Sequence, residues 1–120
     1  MRIWVTVLLV LAVAVAAAFG LGKPLAPMGF AARGAMGEVW KLTTERGQFA
    51  AKKLFAWARD DRFELEARVT EAAIAAGIET PAVVRAATGE VTHHIDGDRW
   101  RVFAWHDLGL AYAPPLDAVN

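Results

Sequence analysis

Two lysines and a glutamate have roles that depend on how the chain folds around them. Lys52 and Lys53 lie in segment 49–55, whose alternating pattern is typical of a β-strand, so their side chains point to opposite faces of a sheet. Glu66 falls near the middle of the apolar arc of a predicted helix. Because a carboxylate that faces a core is costly unless paired, we expect Lys52 to neutralise it. Lys53 is the alternative partner, and a slightly rotated helix with Glu66 at its edge is the alternative to both.

A glycine pair precedes the first clearly predicted strand. Gly34 and Gly37 are three residues apart and lead into Val39. Glycines let a backbone approach a ligand closely, so that N–H groups hold phosphate, although such pairs also make ordinary hairpin turns. A Walker-type loop would need Gly-Lys-Ser/Thr running into a helix, which this segment lacks. The spacing fits a kinase-type glycine-rich loop between two strands, with Ala32 in place of its first glycine.

The elements that must position these residues are read from local periodicity and turn signals. We predict strands at 38–43, 49–55, 83–86, 91–95 and 100–105, a helix from Asp60 or Asp61 to about Ala76 stopped by Gly77, and a tight turn at Asp96-Gly97. Strands, one helix and further strands predict an α+β fold, an antiparallel β-sheet with one packed helix, preceded by an N-terminal apolar helix.

The N-terminal segment differs in composition from the rest. Residues 3–22 contain no charged side chain, and Thr6 is the only clearly polar one. As a helix this segment is long enough to span ~30 Å of hydrocarbon. Three interpretations stay open: a membrane anchor, a cleaved signal, or a misassigned start that adds non-native residues to a cytoplasmic protein. The predicted organisation is an apolar segment at 1–22, a linker at 23–29, a folded lobe at 30–112 and a Pro-rich tail at 113–120.

Composition removes several classes of function. The chain has 120 residues, a formal net charge of zero and no cysteine, and it also lacks serine. A balanced charge without a basic stripe argues against nucleic-acid binding, and the missing cysteine excludes disulfides and thiolate metal sites. Serine-nucleophile hydrolysis is excluded as well. His93 and His94 are neighbours on a predicted strand, so they face opposite sides and are poorly placed to chelate one ion.

Several segments together resemble the small lobe shared by protein kinases and aminoglycoside phosphotransferases. The resemblance is carried by Gly34-x-x-Gly37-x-Val39, by Phe49-Ala50-Ala51-Lys52 and by Glu66, and it covers about 28–112. Segments 71–78 and 102–109 are more similar to the phosphotransferase branch.

The resemblance implies a site for ATP or GTP. Lys52 would contact the α- and β-phosphates and Glu66 would orient it. Gly34 to Gly37 would cover the phosphates, Val39 and Ala50 would roof the adenine, and backbone groups near 103–107 would bind its edge. The nucleotide is thus the expected small-molecule partner.

The resemblance stops before the residues that would perform catalysis. Kinase-type transfer needs a catalytic Asp, an Asn and a magnesium-binding Asp from a large lobe, whereas only Asp117 and Asn120 follow Asp107. The resemblance therefore implies a truncated nucleotide-binding lobe that is not catalytic alone and encodes no magnesium site. A missing large lobe or a second copy would be its protein partner, through apolar surface near 108–116. The alternative functions are a membrane-tethered interaction module without nucleotide binding and a small exported domain.

Overall fold

The computed structural model describes residues 2–57 and 62–105, which form an α+β fold. Its elements are α1 (Arg2–Ala18), β1 (Gly29–Arg33), β2 (Gly37–Thr44), β3 (Gly47–Leu54), α2 (Phe63–Ala75), β4 (Val83–Val84), β5 (His93–Ile95) and β6 (Asp98–Ala104). The strands form one six-stranded antiparallel sheet in the order β1-β2-β3-β6-β4, and β5 pairs with β6. The predicted α+β class with an antiparallel sheet is confirmed. Two helices rather than one pack on this sheet.

Turn chemistry sets several of the element boundaries. Asp96 and Gly97 have φ angles of 51° and 86° between β5 and β6, as a two-residue turn with two left-handed positions requires, so the predicted tight turn is confirmed. Gly77, with φ of 92°, follows the end of α2 as predicted. Strand β4 is shorter than predicted because the Ala86 N–H donates to the Glu90 carbonyl at 2.8 Å and closes a turn there.

The two faces of the sheet carry separate cores. Directly opposed residues in an antiparallel register share a face, and successive residues alternate between faces. On one face, here called the α1 face, β-strand residues pack against α1: Leu42, Ala51, Trp100 and Val102 meet Ala12, Val15, Ala16 and Phe19. On the other, the α2 face, Leu54 packs with Phe63, Ala67 and Val91. One sheet therefore serves both helices.

The N-terminal segment forms part of the α1-face core. α1 has 17 residues and ends at Ala18, and Gly20 and Gly22 follow with φ angles of 65° and 84°. At ~1.5 Å per residue it is shorter than the ~30 Å of a hydrocarbon core. No helix within the described residues combines the length and hydropathy that a membrane crossing requires. The transmembrane helix predicted from residues 3–22 is therefore wrong.

Residues of the predicted linker at 23–29 contact the sheet. Pro24 forms a bridge with Thr44 at the end of β2, and the Leu25 N–H donates to the Thr43 carbonyl at 2.9 Å. Met28 is buried in the α1-face core. These contacts connect α1 to the edge of β2.

α2 contacts the sheet through a narrow stripe. Phe63 and Ala67, one turn apart, are its buried residues, whereas Leu65 and Val69 are 62% and 60% exposed. The sheet therefore covers only this stripe of the helix and not the broad apolar arc predicted from the sequence. Asp60 and Asp61, the predicted capping residues, lie outside the described residues.

Candidate functional site

Lys52 lies on the α2 face of β3, the middle strand in the order of the sheet. Its neighbours across the strands are Val39 on β2 and Arg101 on β6. Ala50 lies two residues back on the same strand, opposite Phe103 of β6. Val39, Ala50 and Lys52, three of the predicted site residues, thus share one face of the sheet. All three are half-buried.

The central strands of this face carry basic side chains and no acidic ones. The face positions of β2, β3 and β6 include Lys41, Lys52, Arg99 and Arg101 and neither Asp nor Glu. The acids of these strands, Glu38 and Asp98, lie on the α1 face, where Lys53 Nζ is 4.0 Å from Glu38 Oε1 and 3.9 Å from Asp98 Oδ2. The alternation of the strands therefore places their acids on the α1 face and most of their basic side chains on the α2 face.

Glu66 contacts Arg101 rather than Lys52. Arg101 Nη1 donates to Glu66 Oε1 at 3.3 Å, and the Glu66 side chain is 56% exposed. Among the described residues no ion pair within 4.0 Å joins Glu66 to Lys52, and Lys53 is on the other face. The helix therefore holds Glu66 at its edge, as the rotated-helix alternative expects. Arg101 occupies the place that the sequence assigned to Lys52.

Arg101 is buried between aromatic rings. Its side chain is 5% exposed, and its guanidinium carbon lies 4.3 Å from the Phe63 ring centre and 4.8 Å from that of Phe103. Its Nε is buried with no hydrogen-bond partner among the described residues. Cation–π contact offsets part of the cost of burying the charge. Arg101 was not among the residues predicted for the site, although two arginines two positions apart on a strand, Arg99 and Arg101, are the pattern that could have revealed it.

Lys52 is electrostatically unfavourable where it lies. Burial and then the neighbouring Arg101 guanidinium lower the pKa of Lys52, and Glu66 only partly opposes them. Burial likewise lowers the pKa of Arg101, against the hydrogen bond that Arg101 donates to Glu66. Among the described residues the half-exposed Glu66 carboxylate is paired with Arg101 only, and a bound anion would relieve the repulsion between Arg101 and Lys52.

The glycine turn lies at the Lys52 end of the sheet. Gly37 is opposite Leu54, two residues along β3 from Lys52. The Gly34 N–H donates to the Gly37 carbonyl at 2.8 Å, so it is bonded inside the turn. A Cβ on Gly37 would overlap the Lys53 carbonyl oxygen, whereas one on Gly34 would have room. The hairpin interpretation accounts for these contacts, and contact of Gly34 and Gly37 with phosphate stays a prediction.

The end of β6 completes the described part of this face. The Trp105 N–H donates to the Gln48 carbonyl at 3.0 Å, and Lys41 Nζ lies 4.8 Å from the Trp105 ring centre. His106 and Asp107, the rest of the predicted adenine-binding segment, lie outside the described residues. Within residues 2–57 and 62–105 no group of three or more His, Asp and Glu side chains could hold a metal ion.

A second charged cluster, which the sequence analysis did not single out, ties α2 to the turn after β4. All three guanidinium nitrogens of Arg85 donate hydrogen bonds: to both carboxylate oxygens of Glu64 at 2.9 Å, to those of Glu71 at 2.9 and 3.1 Å, and to the Gly89 carbonyl at 3.1 Å. We call this cluster the Arg85 clamp. It links the helix that carries Glu66 to the turn after β4.

The fold and the site define a small α+β domain with a basic sheet face under a helix. No family model matches the chain, and no curated protein matches it. Its function is therefore inferred from the chemistry of that face.

Proposed function

We propose that this chain is a nucleotide-binding lobe that holds the phosphates of ATP or GTP on the α2 face of its sheet. The proposal does not include phosphate transfer, because no catalytic Asp and Asn pair can be assigned in the sequence. Lys52 is the central phosphate ligand. Val39 and Ala50 supply the apolar surface for the base.

The observation that carries the proposal is the pair of neighbouring cations Lys52 and Arg101. They lie directly opposite each other on β3 and β6. Among the described residues Glu66 is the one carboxylate paired with either of them, and its partner is Arg101. Ordinary surface lysines lie beside acids or in water, as Lys53 does on the other face. Half-buried positive charge without matching acids suits a polyanion such as a triphosphate.

The resemblance to the small lobe of kinases and aminoglycoside phosphotransferases supports the same face. That resemblance expects Lys52 at the phosphates and Val39 and Ala50 against the adenine, and the three side chains share the α2 face. Phe103, opposite Ala50, adds an aromatic ring next to this apolar area, and aromatic rings are common in ligand pockets.

The test is ligand-dependent thermal unfolding of the full chain. We expect Mg-ATP or Mg-GTP to raise the Tm, because a ligand at ~100 times its Kd stabilises the native state by about 2.7 kcal/mol. Lys52→Met should abolish most of this shift, whereas Lys53→Met, one residue along and on the opposite face, should retain it. Differential scanning fluorimetry across a nucleotide titration measures both.

The unliganded variants supply the control for folding. Because Lys52 is half-buried beside another cation, Lys52→Met should not lower the Tm without nucleotide. If Lys52→Met loses the nucleotide-dependent rise in Tm, that loss then reports loss of nucleotide binding. If neither nucleotide moves the Tm of the wild-type chain, or if both lysine variants respond alike, the proposal is wrong.

The second candidate is a protein-interaction module of the same fold. It is favoured by the outward apolar side chains of α2, since Leu65 and Val69 are mostly exposed and one turn apart. In that case the outward stripe rather than the α2 face is the functional surface. Sedimentation of the chain and of a Leu65→Gln, Val69→Gln variant would distinguish it: association that the double variant removes, together with no nucleotide shift, favours the module.

A further inference from the structure

Arg101 is a buried cation with an incomplete set of partners. Its one ion pair within the described part of the chain, to Glu66, is 3.3 Å long and involves a carboxylate that is more than half exposed. Its Nε is buried without a hydrogen-bond partner among the described residues. A buried guanidinium normally forms short, often bidentate bonds to an anion. Even Arg85, which is only half-buried, forms such a pair with Glu64 in the same molecule.

The rings of Phe63 and Phe103 hold this guanidinium in place. With a ring centre at 4.3 Å and another at 4.8 Å, Arg101 has little freedom to swing toward water or toward a distant acid. Glu66, by contrast, is on the exposed edge of α2 and can rotate into solvent at low cost. The mobile member of this ion pair is therefore the carboxylate.

We propose that Arg101 is the second phosphate-binding cation of this face, and that Glu66 is an internal anion which a ligand phosphate displaces from it. The inference rests on the proposed function and names a residue and a competition that the proposed function does not include. A doubly charged terminal phosphate would bridge Lys52 and Arg101 and balance both charges. In the unliganded chain, Glu66 balances only one.

This arrangement reverses the expected effect of Glu66. If Glu66 served to orient Lys52, as the resemblance implies, its removal would weaken nucleotide binding. If Glu66 competes with phosphate for Arg101, its removal strengthens binding. Whether removal of the Glu66 carboxylate weakens or strengthens nucleotide binding therefore distinguishes the two roles.

The experiment is isothermal titration of the full chain with ATP and with inorganic tripolyphosphate at low ionic strength. We expect Glu66→Gln to tighten binding of both probes several-fold, and Arg101→Met to weaken it by about tenfold or more, since a charge-assisted bidentate contact is lost. Arg101→Lys, which keeps the charge without the planar fork, should fall between wild type and Arg101→Met. It also preserves the test if Arg101→Met does not fold, as judged by circular dichroism.

Two matched controls lie on or next to α2. Arg68→Met removes an exposed arginine whose described ion pair is to Glu64, and Glu79→Gln removes an exposed acid beyond the helix. Each control variant removes one charge outside the proposed site, so we expect only a small change in the affinity for tripolyphosphate. Both control for the change in net charge.

Three results would overturn the inference. Weaker binding by Glu66→Gln, comparable to that of Lys52→Met, would assign Glu66 the orienting role. Wild-type affinity in a folded Arg101→Met would leave the nucleotide proposal intact and remove Arg101 from the site. Absence of binding by the wild-type chain to either probe would reject the proposed function itself, and this inference with it.

Discussion

At the scale of single residues, the α2 face holds two cations whose charge is disfavoured by burial. A half-buried lysine beside a buried arginine lowers the stability of the native state, and the pKa directions of both cations express that cost. Core positions without function are usually filled by apolar side chains, as Ala51 and Val102 show on the other face of the same strands. The cost is therefore concentrated where the candidate ligand would bind.

The glycine turn offers a residue-scale prediction that separates packing from ligand contact. Gly37→Ala should destabilise the chain by about 2 kcal/mol, because the new Cβ would overlap the Lys53 carbonyl oxygen. Gly34→Ala, where a Cβ meets no atom closer than 4.0 Å, should be close to neutral. Urea unfolding measures both. Equal stability of the two variants would show that Gly37 is not required by its contact with β3.

At the scale of elements, α2 meets the rest of the fold through a narrow apolar stripe and a cluster of ion pairs. Phe63 and Ala67 are its buried residues, whereas the Arg85 clamp holds Glu64 and Glu71 on the side facing β4. Hydrogen bonds from Arg85 and then Arg68 lower the pKa of Glu64 from 4.5 to about 2, and Arg85 also lowers that of Glu71. The orientation of α2, and with it the position of Glu66, should therefore depend on pH.

The sign of that dependence follows from the lowered pKa of Glu64. A carboxylate with a depressed pKa in the folded state stabilises that state above its unfolded pKa, and the contribution is lost as pH falls. We expect amide-exchange protection of α2 to decrease between about pH 4.5 and 2. Arg85→Met should show reduced protection at pH 7 and a flatter dependence below it, while Arg68→Met should keep most of the wild-type profile. Identical profiles for wild type and Arg85→Met would contradict the clamp.

At the scale of the whole molecule, one sheet is shared by two cores. α1 belongs to the first of them: Val15 and Ala16 pack with Trp100 and Val102 in the middle of the sheet. The apolar N-terminal segment is therefore part of the folded unit in this structure.

Substitutions on the two sides of α1 test this placement. Val15→Ala should destabilise the chain by about 2 kcal/mol, from lost burial of two methyl-sized groups and the cavity left behind. Val13→Ala, at a position that is 51% exposed, should be neutral or slightly stabilising, since alanine favours the helix. Chemical denaturation of both variants provides the comparison. No difference between them would mean that α1 does not pack on the sheet.

Local pattern was sufficient for most of the sheet and for the presence of α2. Strands β2 and β3 were predictable because alternation and the Glu45-Arg46-Gly47 turn are local signals. The sharing of one face by Val39, Ala50 and Lys52 follows from that alternation together with the register. Contacts across the chain were not predictable: Arg101 and Glu66 are 35 residues apart, and their meeting depends on β6 pairing with β3.

The amino-acid sequence alone determined the α+β class, the Asp96-Gly97 turn, and the fact that Lys52 and Lys53 face opposite sides, because each depends on neighbours within a few positions. Only the tertiary structure decided what the apolar N-terminus packs against, which cation meets Glu66, and that Arg85 holds α2. Apolar surface is non-directional, so an uncharged helix suits lipid or protein equally well. A carboxylate likewise pairs with whichever cation the strand register brings within reach, and that choice is made when β6 aligns with β3.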